Sequence, residues 1–286
     1  MNLSELHNFA DFEKASLALI KTGDADPVYP FLKQLIAFEK FHPTEACFLY
    51  VYFYSLESMT AFLRKTSLSC GTEEELKATF TGLKFGMERG RTPQVRDFNN
   101  FLKARRAWLG INFSEAVKSP AHFRAAMKGV PYFGEWASYK MCEVFQRALG
   151  HSSLDLPDIG INEGDANSST GPIFGLRYLY GIDNTFTRSI IPEWNALANT
   201  LAARWNADLS EVETCLCKVP KILKKGSYFV GHDIWELSLL KSHLPDYSAI
   251  MNNCKFDPAL WDLELDHKEV NKLKKAYVRD GILANT

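Results

Sequence analysis

KGVPYFGEWASYKMCEVFQRALGHSSLDLPDIGINEGDANSSTGPIFGLRYLYG, residues 128–181, is the stretch whose reading decides the fold. Val130-Pro131-Tyr132-Phe133-Gly134 is a tight apolar turn between two segments of helical periodicity. Two helices joined in this way form a helix-hairpin-helix, whose hairpin N–H groups and second-helix N-terminus point at a nucleic-acid phosphate. The amides and the helix dipole supply the attraction, so the turn itself needs no Lys or Arg. The pattern wanted is roughly Leu-Pro-Gly-hydrophobic-Gly. Four of the five positions fit, and Tyr132 stands at the first glycine. Ordinary core packing of two helices across a turn accommodates the same residues. Beyond the second helix come Asp155 and Asp158, then a polar, Gly-rich loop, then Gly175-Leu176-Arg177.

Outward from this stretch the chain reads as helix after helix. Apolar residues at helical spacing mark 3–21, 28–41, 45–64, 72–87, 94–109 and 114–128, the last with a break near Ser119-Pro120. The pattern resumes at 192–205, 209–218, 234–242 and 268–277. Asp26-Pro27 and Thr72-Glu73-Glu74-Glu75 are helix-start signals. Cys47 to Tyr54 is apolar all round, which predicts a central helix. Its tyrosines, Tyr50, Tyr52 and Tyr54, read as core residues with polar tips; a stacking wall for a base is the alternative. Strand signals are few, so the expected class is mostly α. At 286 residues the chain suits one helical domain. Two lobes are the variant of that reading, residues 1–110 with 190–286, and 111–189 carrying the hairpin.

Net charge is −1, so global charge announces no nucleic-acid binder, and any such role must rest on a local patch. The most basic part runs from Lys84 to Arg106, with seven basic residues against two acidic ones. Within it, Arg89 and Arg91 flank Gly90, and Arg96 follows. Arginines beside glycines on a loop are free to reach phosphate oxygens bidentately. Residues 218–225 form a second basic run. The six cysteines are scattered and show no zinc or iron–sulfur spacing. They read as buried, reduced thiols, and neither metal nor cofactor is expected. No signal pattern or membrane-spanning run is visible, so the expected location is cytoplasmic and the chain is expected to have no membrane partner.

The order of helices, hairpin, helix and an Asp 21 or 24 residues after Gly134 resembles the helix-hairpin-helix DNA glycosylase superfamily. The fold implied is a helix-hairpin-helix DNA glycosylase-like multi-helix fold. In bifunctional members a nucleophilic Lys follows the hairpin; Trp136 occupies that position here, so a lyase step lacks its nucleophile. The chain more closely resembles a divergent, phage-centred branch that acts in thymine hypermodification and includes amino acid:DNA transferases and predicted glutamyl/putrescinyl-thymine pyrophosphorylases. Leu156-Pro157-Asp158, Glu163-Gly164, Gly171-Pro172 and Gly175-Leu176-Arg177 carry that likeness. The resemblance implies a bacteriophage transferase working in the infected host's cytoplasm. It would join a free amino acid or amine to 5-pyrophosphorylmethyl-deoxyuridine in DNA and release pyrophosphate.

Such chemistry has definite physical needs. The base must leave the duplex, and Tyr132, Phe133 and Trp136, with the Gly134 amide end, are the candidate DNA contacts. The leaving pyrophosphate needs cations, for which Arg177, Arg91, Arg89 and Arg96 are candidates. The attacking amine must lose a proton, for which Asp158 is the first candidate carboxylate, with Asp155, Glu163 and Asp165 as alternatives. Each has a plainer reading as a turn cap, a surface ion pair or a solvated loop. His232-Asp233 reads as an acid–base pair or, more simply, as the start of a helix. A monofunctional glycosylase and a non-catalytic helical DNA-binding module remain the competing functions. No Walker-type loop is present, which counts against a kinase.

Overall fold

The computed structural model describes residues 3–86, 89, 92–156, 158–159, 171–181, 191–224, 228 and 230–256. Every regular element among the described residues is helical, with no strand, as the periodicity predicts. They group into two compact units, 29–156 and 1–28 with 157–286. No described helix is long and apolar enough to cross a membrane.

The unit 29–156 is built around α3 (Pro43–Phe53). Every residue from Ala46 to Phe53 is buried, which is why its sequence shows no polar face. Around it stand α2 (Val28–Glu39), α4 (Leu56–Leu63), α5 (Glu73–Phe80), α6 (Phe98–Leu109), α7 (Phe113–Ala116), α8 (Pro120–Lys128) and α9 (Glu135–Arg147). Aromatic packing ties them together. Phe48 stacks on Phe133 at 5.5 Å, and Tyr52 meets Phe101 edge-on at 5.3 Å. The Tyr52 hydroxyl donates to the Val95 carbonyl at 3.0 Å, so the plain reading of this tyrosine, a core ring with a satisfied polar tip, holds. The buried Glu45 carboxylate accepts from the amides of Leu68 and Ser69 and from the Ser69 hydroxyl.

Several boundaries differ from the sequence reading, each for a visible reason. The helix expected over 45–64 breaks at Tyr54, whose φ of 50° is left-handed. The chain at 84–86 docks into the break: Gly86 N–H donates to the Phe53 carbonyl at 2.8 Å, and the Ser58 hydroxyl donates to the Lys84 carbonyl at 2.7 Å. Ser55 then caps α4 through the Ser58 amide. The helix expected over 72–87 carries its capping box at Thr72 and Glu75 but ends at Phe80. That expected over 94–109 starts at Phe98, because Asp97 caps it by accepting from the Asn100 amide at 3.0 Å. The break near Ser119 is present, with Ser119 capping α8. Of the thiols, Cys47, Cys142 and Cys215 are buried, whereas Cys70 is exposed and Cys217 and Cys254 are intermediate; all six are free.

The unit formed by 1–28 and 157–286 contains α1 (Phe9–Thr22), α10 (Gly171–Tyr180), α11 (Ile191–Trp205), α12 (Leu209–Leu223), α13 (His232–Ser238) and α14 (Tyr247–Asn253). Its core joins Phe12 and Leu19 to Ile173, Leu176, Trp194, Leu201, Leu216 and Val219. The first helix starts at Phe9 rather than Leu3, and α13 starts at His232. α12 runs five residues past the expected end at 218, through Pro220. Pro220 has no N–H to give the Leu216 carbonyl four residues back. That carbonyl is where α10 comes closest: a Cβ added at Gly175 would lie 2.1 Å from it, and one at Gly171 2.1 Å from Cys217 Sγ. Glycines spaced four apart on α10 therefore let two helices approach at backbone distance. The helix expected over 268–277 and the turn residues 229 and 225–227 lie outside the described residues.

Candidate functional site

The hairpin in the unit 29–156 joins α8 to α9. Val130 N–H donates to the Met127 carbonyl at 2.9 Å and Phe133 N–H to the Val130 carbonyl at 3.0 Å, which closes two successive turns. Tyr132 takes φ 69°, a left-handed backbone that costs a non-glycine residue about 1 kcal/mol or more. Gly134 is the N-cap of α9 and offers no side-chain cap. The first-turn amides of α9 thus have no intrahelical acceptor. A Cβ built at Gly134 would meet nothing within 4 Å, so this helix end opens outward. Trp136, the second residue of α9, is 37 % exposed and meets Tyr54 edge-on at 5.0 Å.

Beneath the turn sits Arg89, only 5 % exposed. Its Nε donates to the Tyr52 carbonyl at 3.2 Å and its Nη1 to the Tyr132 carbonyl at 3.0 Å. The guanidinium lies over the Tyr52 and Phe133 rings at 5.6 and 5.3 Å, and its Nη2 is buried without a hydrogen-bond partner. Burial lowers its pKa to about 10, and the neighbouring Tyr52 works against that shift. Arg89 is therefore engaged on two backbone carbonyls inside the unit, and it holds the strained Tyr132 peptide in place. Phe133, 2 % exposed and stacked on Phe48, is likewise a core anchor whose contribution at the surface is its backbone.

One acid stands at the mouth of this helix end. Glu135, the first residue of α9, pairs with Lys128 and, at 3.4 Å, with Arg124. The hydrogen bond from Lys128 comes first among the causes that hold its carboxyl below the usual range. An incoming phosphate would compete with this carboxylate for both cations.

The other candidates are dispersed. Arg96 is exposed on the short 3-10 turn Pro93–Arg96. Asp155 is exposed and accepts from Gln146 Nε2 at 2.7 Å. Asp158 is half-buried and belongs, with Arg177, to the other unit, so the two aspartates fall on opposite sides of the unit boundary. Arg177 is half-buried on α10, and its Nε is buried without a partner. Arg91, Glu163 and Asp165 lie outside the described residues, as does the polar loop around them.

A buried ionic cluster in the second unit went unread in the sequence. Lys218 is 9 % exposed and donates to the carbonyls of Asp24 and Ala25 at 3.0 and 2.5 Å. It also pairs with Asp233, which accepts from His232 Nδ1 at 3.2 Å. Asp24, 1 % exposed, accepts from the amides of Gly231 and Ile234 at 2.7 and 2.9 Å. Asp24, rather than Asp233, thus caps α13, and the cluster ties the end of α1 to α12 and α13. Burial pushes the Asp24 carboxyl up to about 7, against the pull of Lys218. Burial opposes ionisation at Asp233 as well, but Lys218 and His232 outweigh it and hold that carboxyl below its ordinary value. His232, Asp233 and Glu236 each offer a ligand atom, all within 4.8 Å of one another. A cation there would have to displace Lys218 from Asp233.

Compared with protein-family models, with curated proteins and with solved structures, the chain finds no significant match. Its function is therefore inferred from its own residues and their geometry.

Proposed function

We propose that this chain is a DNA base-modifying transferase that grips the duplex backbone through the 129–136 hairpin. It joins an amino acid or amine to 5-pyrophosphorylmethyl-deoxyuridine with release of pyrophosphate. The observation that carries the binding half is the hairpin. Tyr132, at the position where the pattern has its first glycine, adopts the left-handed backbone that a glycine there would supply. The end of α9 opens outward beside the exposed Trp136. Outward-pointing amides bind phosphate, and an exposed indole beside them suits the gap left by an extruded base. The catalytic half rests on the resemblance carried by residues 156–181. In that step the amine nitrogen bonds to the exocyclic methylene carbon, the carbon–oxygen bond to pyrophosphate breaks, and the amine proton passes to a carboxylate. Asp158 is the assigned base, and Arg177 is assigned to the leaving pyrophosphate.

Incubating the chain with pyrophosphorylated hydroxymethyluracil DNA and mixed amino acids, then digesting to nucleosides for mass spectrometry, tests the whole reading. The expected product is a nucleoside heavier by one amino acid or amine, with pyrophosphate released. Asp158→Asn is expected to lower the rate by about 10²-fold or more, the ordinary scale for loss of a general base. Release of a free base would mean a glycosylase. Unmodified DNA after demonstrated binding would mean a non-catalytic module.

A further inference from the structure

The unit built from 1–28 and 157–286 carries a basic, aromatic surface that the hairpin reading leaves unused. Lys221 and Lys224 are exposed on the last turn of α12 and just past it, and Arg177 is half-buried on the last turn of α10. The Lys224 ammonium sits over the rings of Phe174 and Tyr178 at 4.7 and 5.6 Å, and that of Lys221 over Tyr228 at 4.8 Å. Phe174, Tyr178 and Tyr228 are all half-buried; Tyr228 also stacks on His232 at 4.3 Å, and His7 meets Tyr178 edge-on at 5.8 Å. None of the three cations pairs with a carboxylate among the described residues. By contrast, Lys218 pairs with Asp233, and Arg204 with Glu13.

Helix dipoles do not balance this charge. Two helix C-termini supply about half a negative charge each. Among the described residues, three cations therefore leave about two positive charges uncompensated on this surface. Like charges one turn apart repel, which an anionic partner would relieve. Rings interleaved with cations add the second element of strand recognition, since bases stack on aromatic faces while cations follow the backbone. We infer that Phe174, Arg177, Tyr178, Lys221, Lys224 and Tyr228 form a binding surface for a single-stranded nucleic-acid segment, independent of the hairpin.

The test is fluorescence anisotropy of the full chain with a labelled single-stranded oligothymidylate across a salt titration. In Lys221→Gln/Lys224→Gln, the slope of log affinity against log salt is expected to shrink by about 1.4, because each single-strand phosphate neutralised by a lysine contributes about 0.7 to it. Tyr178→Ala is expected to weaken binding about tenfold or more with little change of slope, the pattern of a missing stack. A melting curve of each variant checks folding, and Phe174→Leu stands in if Tyr178→Ala melts low. Lys65→Gln, an exposed lysine of the unit 29–156, is the control and is expected to leave the salt slope unchanged. An unchanged slope in the double variant, or no single-strand binding by the wild type, overturns the inference.

Discussion

Gly175→Ala is expected to destabilise the protein by about 3 kcal/mol or more, the upper end for overpacking a close-packed contact. The added Cβ would fall 2.1 Å from the Leu216 carbonyl oxygen and 2.6 Å from Leu216 Cα. Both are backbone atoms of α12, so no side-chain rotation relieves the clash. Either α10 lifts from α12 or α12 bends away, and each disrupts the core around Ile173, Leu176 and Leu216. Gly134→Ala is the control. Its Cβ meets nothing within 4 Å and its φ is −72°, so only the poorer N-cap propensity of Ala remains, an expected cost of about 1 kcal/mol. Urea denaturation followed by circular dichroism measures both. Equal midpoints for Gly175→Ala and wild type would show that the two helices do not meet as described.

The second large effect is at Lys218. Lys218→Met keeps the aliphatic stem but removes the charge that faces Asp233 and the Asp24 and Ala25 carbonyls. Breaking a buried pair from one side costs about 3–5 kcal/mol. The pH dependence has a definite sign. Asp24, raised to about 7 in the folded state, makes the native protein bind a proton more tightly than the unfolded chain does. Its contribution to stability is therefore present at low pH and lost as pH climbs from about 4 through 7. Asp233, held below its ordinary value, contributes in the opposite sense and loses its contribution as pH falls. Lys218 is itself raised: burial lowers its pKa, but Asp233 and Asp24 outweigh burial, so its contribution persists until pH rises above the ordinary lysine range. Without Lys218 both carboxyls move up. The deficit of Lys218→Met is then largest near pH 8 and smaller near pH 5, where both carboxyls can bind protons. An equal deficit at both values would mean that the cluster is held by packing and hydrogen bonds rather than by charge.

Much of the fold is legible in the sequence because it is written in short-range signals. All-round apolarity puts α3 at the centre, Thr72 and Glu75 mark a capping box, and Ser119 marks a break. What escapes is set by partners far along the chain. Tyr54 breaks a helix because Gly86, thirty-two positions on, docks against it. Lys218 sits in a run that looks like a solvated basic face, yet its acceptors lie 193 and 194 positions earlier. Arg89 stands among glycines, the ordinary setting of an exposed arginine, and its acceptors are 37 and 43 positions away. Gly175, which the sequence marks only as part of a motif, has a packing duty that the crossing with α12 exposes. The hairpin is legible for the converse reason. Its turn and helix start are local, and Tyr132 takes a left-handed backbone within it.

The central claim is that the α9 end of the hairpin holds a DNA phosphate, and duplex binding by Gly134→Glu tests it most directly. An added carboxylate at this helix N-terminus favours the helix through the dipole, so the melting temperature should equal or exceed that of wild type. The same carboxylate repels phosphate, so duplex affinity should fall about tenfold or more, equivalent to about 1.4 kcal/mol. Glu135→Gln, which frees Lys128 and Arg124, should instead tighten binding. Undiminished duplex affinity in Gly134→Glu, with the fold intact, would contradict the account and leave the hairpin a packing element.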